Sequence, residues 1–429
     1  MGERSGISRR SLVAGSGVGV AAIGAAVGFA AGHASAETAQ SGEVPEDLGG
    51  DRIDLSTSYD FYTGGHQVGI ETPPQRHTVF MTFDLVDGST TQDLQVLLAR
   101  WSAGIAQLMK GRTVGAVEPT RADGVAPDTG EAYDLAPASL TVTLGLGPGF
   151  FDERFGLADQ RPAHLEPLPT LPSDQLKPEL TGGDLSLQAC ADDPQVAYHA
   201  IRDLARMARG TVTTKWTVLG FGRASAGRGQ VTPRNLMGYK DGTRNVKSAE
   251  DFDEFVWIPE PEEASDLLEP AWMVGGTYQV ARKIDMDIEI WDATTITTQH
   301  TTFGRTKVEG APLTGRSEFD TPDFDATADG APVIDPAAHI ALAAHENNDG
   351  VRILRRGYNF TDGINENGQL DAGLLFISYQ REPQQFITLQ TRLGGSDLLN
   401  EYIRHVGSGL FAIPPAPEPG HYIGEALFA

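Results

Sequence analysis

The stretch SLTVTLGLG at residues 139–147 alternates without a break, with Leu140, Val142, Leu144 and Leu146 on one side and Ser139, Thr141 and Thr143 on the other. A period of two marks a strand, because successive side chains leave a pleated backbone in opposite directions, and the composition of the two sides predicts one buried face and one wetter one. Its neighbours complete a unit. Upstream, HTVFMTFDLV reads as a β run; Ser89 and Gln92 then stand in capping-box spacing, ahead of Leu94, Leu97, Leu98, Trp101, Ile105, Leu108 and Met109 at helical period. Downstream, GGDLSLQAC alternates again, DDPQVAYHAIRDLARMARG opens on Asp-Pro and closes on Gly as helices do, and TVTTKWTVLGF returns to β character. The order β-α-β-β-α-β is the ferredoxin-like unit.

The second half repeats this order less cleanly. GGTYQVARKI is read as a strand, DMDIEIWDATTITTQH as a helix, VRILRRGYNF and LDAGLLFISYQ as strands, GSDLLNEYIRH as a helix and GLFAIPP as a closing strand. Two copies of one α+β unit, over residues 76–225 and 226–429, form the economical architecture. A polar arm with many Gly and Pro, residues 37–75, precedes them. The second copy differs by an irregular insertion from about residue 301 to 349, and insertions of that length inside a domain are usually functional or disordered.

Charge and targeting narrow the function. A formal charge of −25 and a pI near 4.7 disfavour a nucleic-acid partner and adhesion to an anionic membrane surface. Arg9 and Arg10, a Gly/Ala-rich apolar stretch and the small-residue cleavage site Ala34-Ser35-Ala36 read as a twin-arginine export signal over residues 1–36. The alternative, a transmembrane anchor, fits an Ala/Gly stretch less well than a Leu-rich one. Export of this kind places the chain in the periplasm, the cell envelope or outside the cell, with no stable membrane insertion after cleavage. It also suits proteins that fold and take up a cofactor before transport. The single Cys190 excludes an internal disulfide, a cysteine-ligated iron–sulfur cluster and a C-x-x-C-H haem attachment. Nucleophile-elbow, H-E-x-x-H, Walker and EF-hand motifs are missing, which argues against hydrolase and nucleotide chemistry.

GYKDG at 238–242, followed by TRN, is in isolation a turn with an acid in it. Together with GGHQVGIETPP (64–74), TPRNLMG (232–238), FGRTKVEGAPLTG (303–315), AHIALA (338–343), RILRRGYNF (352–360) and LNEYIRHVGSGLFAIPP (399–415), it resembles the G-x-x-D-G signature and ordered motifs of the dye-decolorizing peroxidases. The likeness extends from about residue 60 to 415. It implies a duplicated ferredoxin-like, dimeric α/β-barrel-like fold, and one non-covalent haem b per subunit. The implied reaction reduces hydrogen peroxide through a ferryl intermediate, with dyes, phenols or other bulky organic molecules as electron donors. The exported branch of the family implies two alternatives: a deferrochelatase that removes iron from haem, with iron-uptake partners, or a non-catalytic haem-binding protein. A homo-oligomer is compatible with the family.

The resemblance also assigns roles. His339 is implied as the proximal ligand of haem iron, with His345 as the competing candidate; Ala341 stands where the family more often has arginine. Asp241 is implied as the acid–base group that shuttles the peroxide proton. A carboxylate stays ionised in mild acid, where a histidine would be protonated, so activity should be greatest at acid pH. Arg355 would stabilise the charge on the departing oxygen, while Arg356 alternates to the other face of the strand. Gly242, Thr243 and Arg244 are expected to line the haem, with Gly238 and Gly242 letting the backbone approach it. Arg305 is expected to pair with a propionate, a surface salt bridge being its ordinary alternative. Glu401 is the first choice for the carboxylate on the other nitrogen of the proximal histidine, with Asp397 behind it. Trp291, Trp272, Tyr358 and Tyr379 read as core residues with a secondary reading as electron carriers, and Cys190 as an inert buried thiol.

Overall fold

In the computed structural model, which describes residues 53–222, 232–260 and 269–429, the first half carries all six expected elements. They are β1 (His77–Leu85), α1 (Thr91–Leu108), β2 (Thr141–Leu146), β3 (Leu185–Ala191), α2 (Pro194–Met207) and β4 (Val212–Phe221). The strands pair antiparallel in the order β2-β3-β1-β4. The export signal with Arg9 and Arg10, residues 37–52 of the arm and the junction at 225/226 lie outside the described residues. The cap of α1 sits one residue beyond the expected Ser89: Asp93 N–H donates to Thr90 Oγ1 at 3.2 Å, and Thr90 N–H to Asp93 Oδ2 at 2.9 Å. Ser89 is engaged elsewhere, its hydroxyl donating to Thr211 O ahead of β4. Asp193 caps α2 by accepting from Gln195 and Val196 N–H, with Pro194 supplying a first-turn residue that has no N–H to leave unpaired.

The second half contributes α3 (Ala249–Phe255), β5 (Thr277–Met286), α4 (Ile288–Asp292), α5 (Ile296–Phe303), the two-residue strands β6 (Thr327–Ala328) and β7 (Ala331–Pro332), and α6 (His339–Ala343). It then adds β8 (Leu354–Arg355), β9 (Tyr358–Ile364), β10 (Leu370–Gln380), α7 (Pro383–Ser396) and β11 (Ile403–Ile413). Its long strands lie in the order β11-β5-β10-β9, the order of the first half repeated. Three elements depart from the sequence reading. GSDLLNEYIRH is not a helix: α7 lies earlier, stops at Ser396 after Gly394 and Gly395, and only one 3-10 turn (Leu398–Glu401) follows. Ile403–His405 then join β11, in register with Met286–Ile284 of β5. DMDIEIWDATTITTQH begins as the end of β5 and divides into α4 and α5. The RILRRGYNF strand breaks at Arg356-Gly357 into β8 and β9.

Two seams join the halves. Strand β4 pairs with β9 (Gly220 with Phe360, Phe221 with Asn359) and β2 with β11 (Ala412 with Leu146), so that eight strands close into a barrel, with β8 added beside β10. Closure corrects the expectation for β2. Thr141 and Thr143 are buried as fully as Leu144, because one face packs on the helices and the other lies inside the ring. The interior is therefore partly polar and hydrogen-bonded: Gln279 Nε2 donates to Gln188 Oε1 (2.9 Å) and to Tyr379 Oη (2.8 Å), and Gln75 Nε2 to Thr141 Oγ1 (2.9 Å). Gln67 clasps the β2–β11 seam. Its amide donates to Leu144 O and Pro414 O and accepts from Leu144 N–H.

Candidate active site

A cavity of about 230 Å³ opens on the outer face of the second half's sheet, where the first half has packed core. Alternate residues at the C-terminal end of β5 (Arg282, Ile284, Met286) face it, with Leu374 and Phe376 of β10 beside them. Helix α7 supplies a wall through Phe386, Leu389 and Leu393, spaced so that they share one helical side. The segment between β5 and β9, the GYKDG turn ahead of β5 and the stretch from Asp397 to His405 close the rest. Into this largely apolar slot project His339, Asp241, Arg355, Arg305 and Arg244.

His339 is the first residue of α6, and its Nδ1 lies 2.6 Å from Asp397 Oδ2. This makes Asp397, not Glu401, the carboxylate that orients the ring: the 3-10 turn after α7 leaves Glu401 exposed, while Asp397 is buried and also accepts from Leu399 N–H. With Nδ1 committed, Nε2 is the nitrogen left for a ligand bond. Burial disfavours the imidazolium, but the Asp397 carboxylate outweighs it and the net shift of the His339 pKa is upward. The edge of the ring meets Phe303 at a centroid distance of 6.0 Å. His345 lines the same cavity with both nitrogens occupied, Nε2 at 3.2 Å from Arg352 Nη2 and Nδ1 at 3.4 Å from Glu346. Burial lowers its pKa.

Arg355 Nη1 donates to Asp241 Oδ1 at 2.8 Å, both side chains about 30% exposed to the cavity and its mouth. Asn245 fixes this arginine by its backbone, accepting from Arg355 N–H (2.8 Å) and donating to Arg355 O (2.7 Å). GYKDG is a tight turn: Asn235 N–H donates to Tyr239 O, Gly238 N–H to Asn235 O and Asp241 N–H to Pro233 O. Its two glycines serve different ends. Gly242, at φ +114°, borders the cavity, whereas Gly238 does not reach it and is required by its own φ of +83°. Glu318, from the irregular insertion, braces the turn from behind by accepting from Thr232, Lys240 and Thr243. Burial alone would raise its pKa, but Lys240 and the two hydroxyls hold it below the usual carboxylate range.

Arg244 pairs with Glu346 at 2.5 and 3.0 Å. Arg305 is buried rather than on the surface, so its ordinary alternative fails; one nitrogen donates to Gly310 O and Glu318 O, and burial together with Arg244 pushes its pKa down to about 10. Arg356 points away from Asp241, donating to Thr72 O and Gln75 Oε1. Trp291, Trp272, Tyr358, Tyr379 and Cys190 are all buried. Sequence reasoning missed Glu318 and Asn245. Asn245 stands two residues beyond Thr243 in the quoted motif, whereas nothing in the insertion distinguished Glu318 from its other acids.

The donor set fits an iron macrocycle carrying carboxylates. There is one imidazole with a free Nε2, apolar walls that exclude water, guanidiniums at Arg244 and Arg305 to meet anionic substituents, and open space above Gly242, where an added Cβ would find nothing nearer than Thr232 Cγ2 at 3.9 Å. The comparisons agree with this geometry. Residues 67–222 match the family described as Dyp-type peroxidase, N-terminal, and residues 232–418 match Dyp-type peroxidase, C-terminal. The chain is 39% identical over 378 residues to the deferrochelatase of Escherichia coli, covering 86% of each protein. Ferric DtpA from Streptomyces lividans superposes with a TM-score of 0.80 at 39% identity, over 87% of this chain and 98% of that one. A DyP-type peroxidase from Cellulomonas bogoriensis gives 0.78 at 38% identity, over 87% and 98%. The chain belongs to the Dyp-type peroxidase family and is a haem peroxidase, with peroxide and an electron donor as its substrates.

Proposed function

We propose that Asp241 and Arg355 form the peroxide-cleaving pair of this enzyme, in a cavity where His339 Nε2 would hold the iron of one non-covalently bound haem b per chain. The observation that carries the reading is the 2.8 Å Arg355–Asp241 contact in the same cavity as the Asp397-held imidazole. When bound, haem supplies the redox-active iron at which peroxide receives two electrons. Asp241 takes the proton from the near oxygen of peroxide and returns it to the far one, so that the leaving oxygen departs as water. Arg355 keeps a fixed positive charge beside that oxygen, and its Asn245-anchored backbone spares the reorganisation that a mobile side chain would need. Arg305 would meet a propionate, and Arg244, held by Glu346, would line the haem beside Gly242 and Thr243. Dyes and phenols serve as donors.

Three variants test this assignment. His339→Ala should lose the Soret band, whereas Asp241→Asn and Arg355→Leu should keep it and react with peroxide roughly 10²- to 10⁴-fold more slowly. Haem retained in His339→Ala, or undiminished rates in both distal variants, would refute it. A second reading follows from the E. coli relative, which carries the name deferrochelatase. Release of metal-free protoporphyrin from added haem would establish it for this chain, and recovery of intact haem alone would dismiss it. The Arg9-Arg10 signal supports delivery by the twin-arginine route to the periplasm, envelope or exterior, and Lys-Lys at those positions should strand the chain in the cytoplasm.

A further inference from the structure

The connection between α1 and β2, residues 109–140, contains no helix or strand, yet one buried point ties it to α2. Helix α2 places His199 and Asp203 one turn apart on the same side, and Asp128 reaches them from the connection. His199 Nε2 stands 3.1 Å from Asp128 Oδ1 and 2.9 Å from Asp203 Oδ2; the exposures of the three side chains are 6%, 0% and 0%. Asp128 is fixed from behind, accepting from Val114 N–H (2.9 Å) and Gly130 N–H (2.8 Å). None of these residues borders the haem cavity.

An ion triad alone leaves this cluster incomplete. A single Nε2–H can align with only one of the two carboxylates. Asp203 Oδ1 is buried with no hydrogen-bond partner, Arg206 Nη1 being 3.8 Å away, while Thr129 N–H reaches only its other oxygen, Oδ2, at 3.5 Å. Buried acceptors are otherwise paired, so an orphan carboxylate oxygen beside a convergent His-Asp-Asp set offers a place for a cation. The three ligand atoms lie within 4.8 Å of one another. Metal–ligand bonds of about 2.0–2.2 Å to nitrogen and oxygen give ligand-to-ligand edges of roughly 3.0–3.5 Å, the spacing His199 Nε2 already keeps with its neighbours to within about 0.1 Å.

We propose that Asp128, His199 and Asp203 bind a divalent first-row transition ion, Zn²⁺ or Mn²⁺, which clips the 109–140 connection onto α2. Nitrogen and carboxylate donors without a thiolate suit this class. Asp203 binds through both oxygens, which satisfies Oδ1, and the Val114 and Gly130 amides orient Asp128 from the outer shell. The site is structural, a second metal centre in a protein whose other metal is haem iron.

Tag-free holoprotein dialysed against Zn²⁺, Mn²⁺ or Co²⁺ and then against metal-free buffer provides the test. Elemental analysis should find one equivalent of added metal per chain, counted separately from haem iron, and the Co²⁺ form should show d–d absorption of a low-symmetry N/O site. Metal should raise Tm by about 2–4 °C, an increment that EDTA removes. His199→Ala and Asp128→Asn should both lose the equivalent while keeping the Soret band and the peroxide rate. Wild-type protein that retains no stoichiometric metal overturns the proposal without recourse to any variant, as does metal retained unchanged in either variant; the cluster would then be a proton-holding ion triad only.

Discussion

The two halves share one topology and use it differently. In the first, α1 lays Leu94, Leu97, Leu98, Trp101, Ile105 and Leu108 against the sheet, and Trp101 Nε1 donates to Leu204 O across to α2, so that both helices and the sheet share one packed core. In the second, the chain between β5 and β9 makes no comparable helix: α4, α5 and α6 have five, eight and five residues, and the sheet face beneath them borders a cavity. The site is therefore a place where a long helix has been replaced, not a pocket added to a finished core. The half whose core is filled with side chains should not depend on a ligand for its stability, and the half that leaves a slot should draw stability from what fills the slot.

Truncation inside the filled half sharpens that contrast most. Trp101→Ala should cost about 3–5 kcal/mol by chemical denaturation, with the peroxide rate per folded, haem-loaded molecule unchanged; a changed rate would mean that the halves are not separable in this way. Asp397→Asn acts on the other half, lowering haem affinity roughly 10- to 100-fold in haem-transfer assays while leaving the haem-free protein's Tm nearly where it was. Acid should also act on the second half. Burial and then Arg282 push the His405 pKa down to about 3, so that His405 stays neutral in the fold while the unfolded chain gains a proton below about 6.5. Stability is thus full above that value and falls by up to about 1.4 kcal/mol per pH unit from it towards 3, and His405→Gln should flatten this limb in pH-dependent urea melts. The smallest effect belongs to the first half: Thr90→Ala should cost about 1 kcal/mol, with Ser89→Ala nearer neutral because Thr90 is the cap.

Legibility followed the same division. β2, β3, α1 and α2 could be read because period and caps are local; the α1 cap slipped by one residue, and the burial of both faces of β2 followed only from closure of the ring. GSDLLNEYIRH carried local helix signals too, with Asp397 before an apolar run, but Ile403–His405 are claimed by pairing with β5, a partner more than a hundred residues away that no window of sequence contains. His339, Asp241 and Arg355 were accessible through the motifs that surround them. Choosing between Glu401 and Asp397 required the path of the backbone after α7, since the two carboxylates are only four residues apart. Glu318 was harder still. Its importance lies in accepting bonds from Thr232, Lys240 and Thr243 together, a convergence that exists only once the insertion has folded back over the turn.

The Gln67 clasp bears on how such a ring comes together during synthesis. Its amide joins Leu144 to Pro414, the bond from Gln67 to Pro414 spanning 347 residues, at a seam where β2 and β11 share the single register pair Leu146–Ala412. Contacts of such sequence separation form late, after most of the loop entropy has been spent elsewhere. A chain still emerging from the ribosome can complete its first sheet, but it cannot shut the ring until its last strand is available. The clasp therefore acts as a latch that only a full-length, correctly wound molecule can fasten.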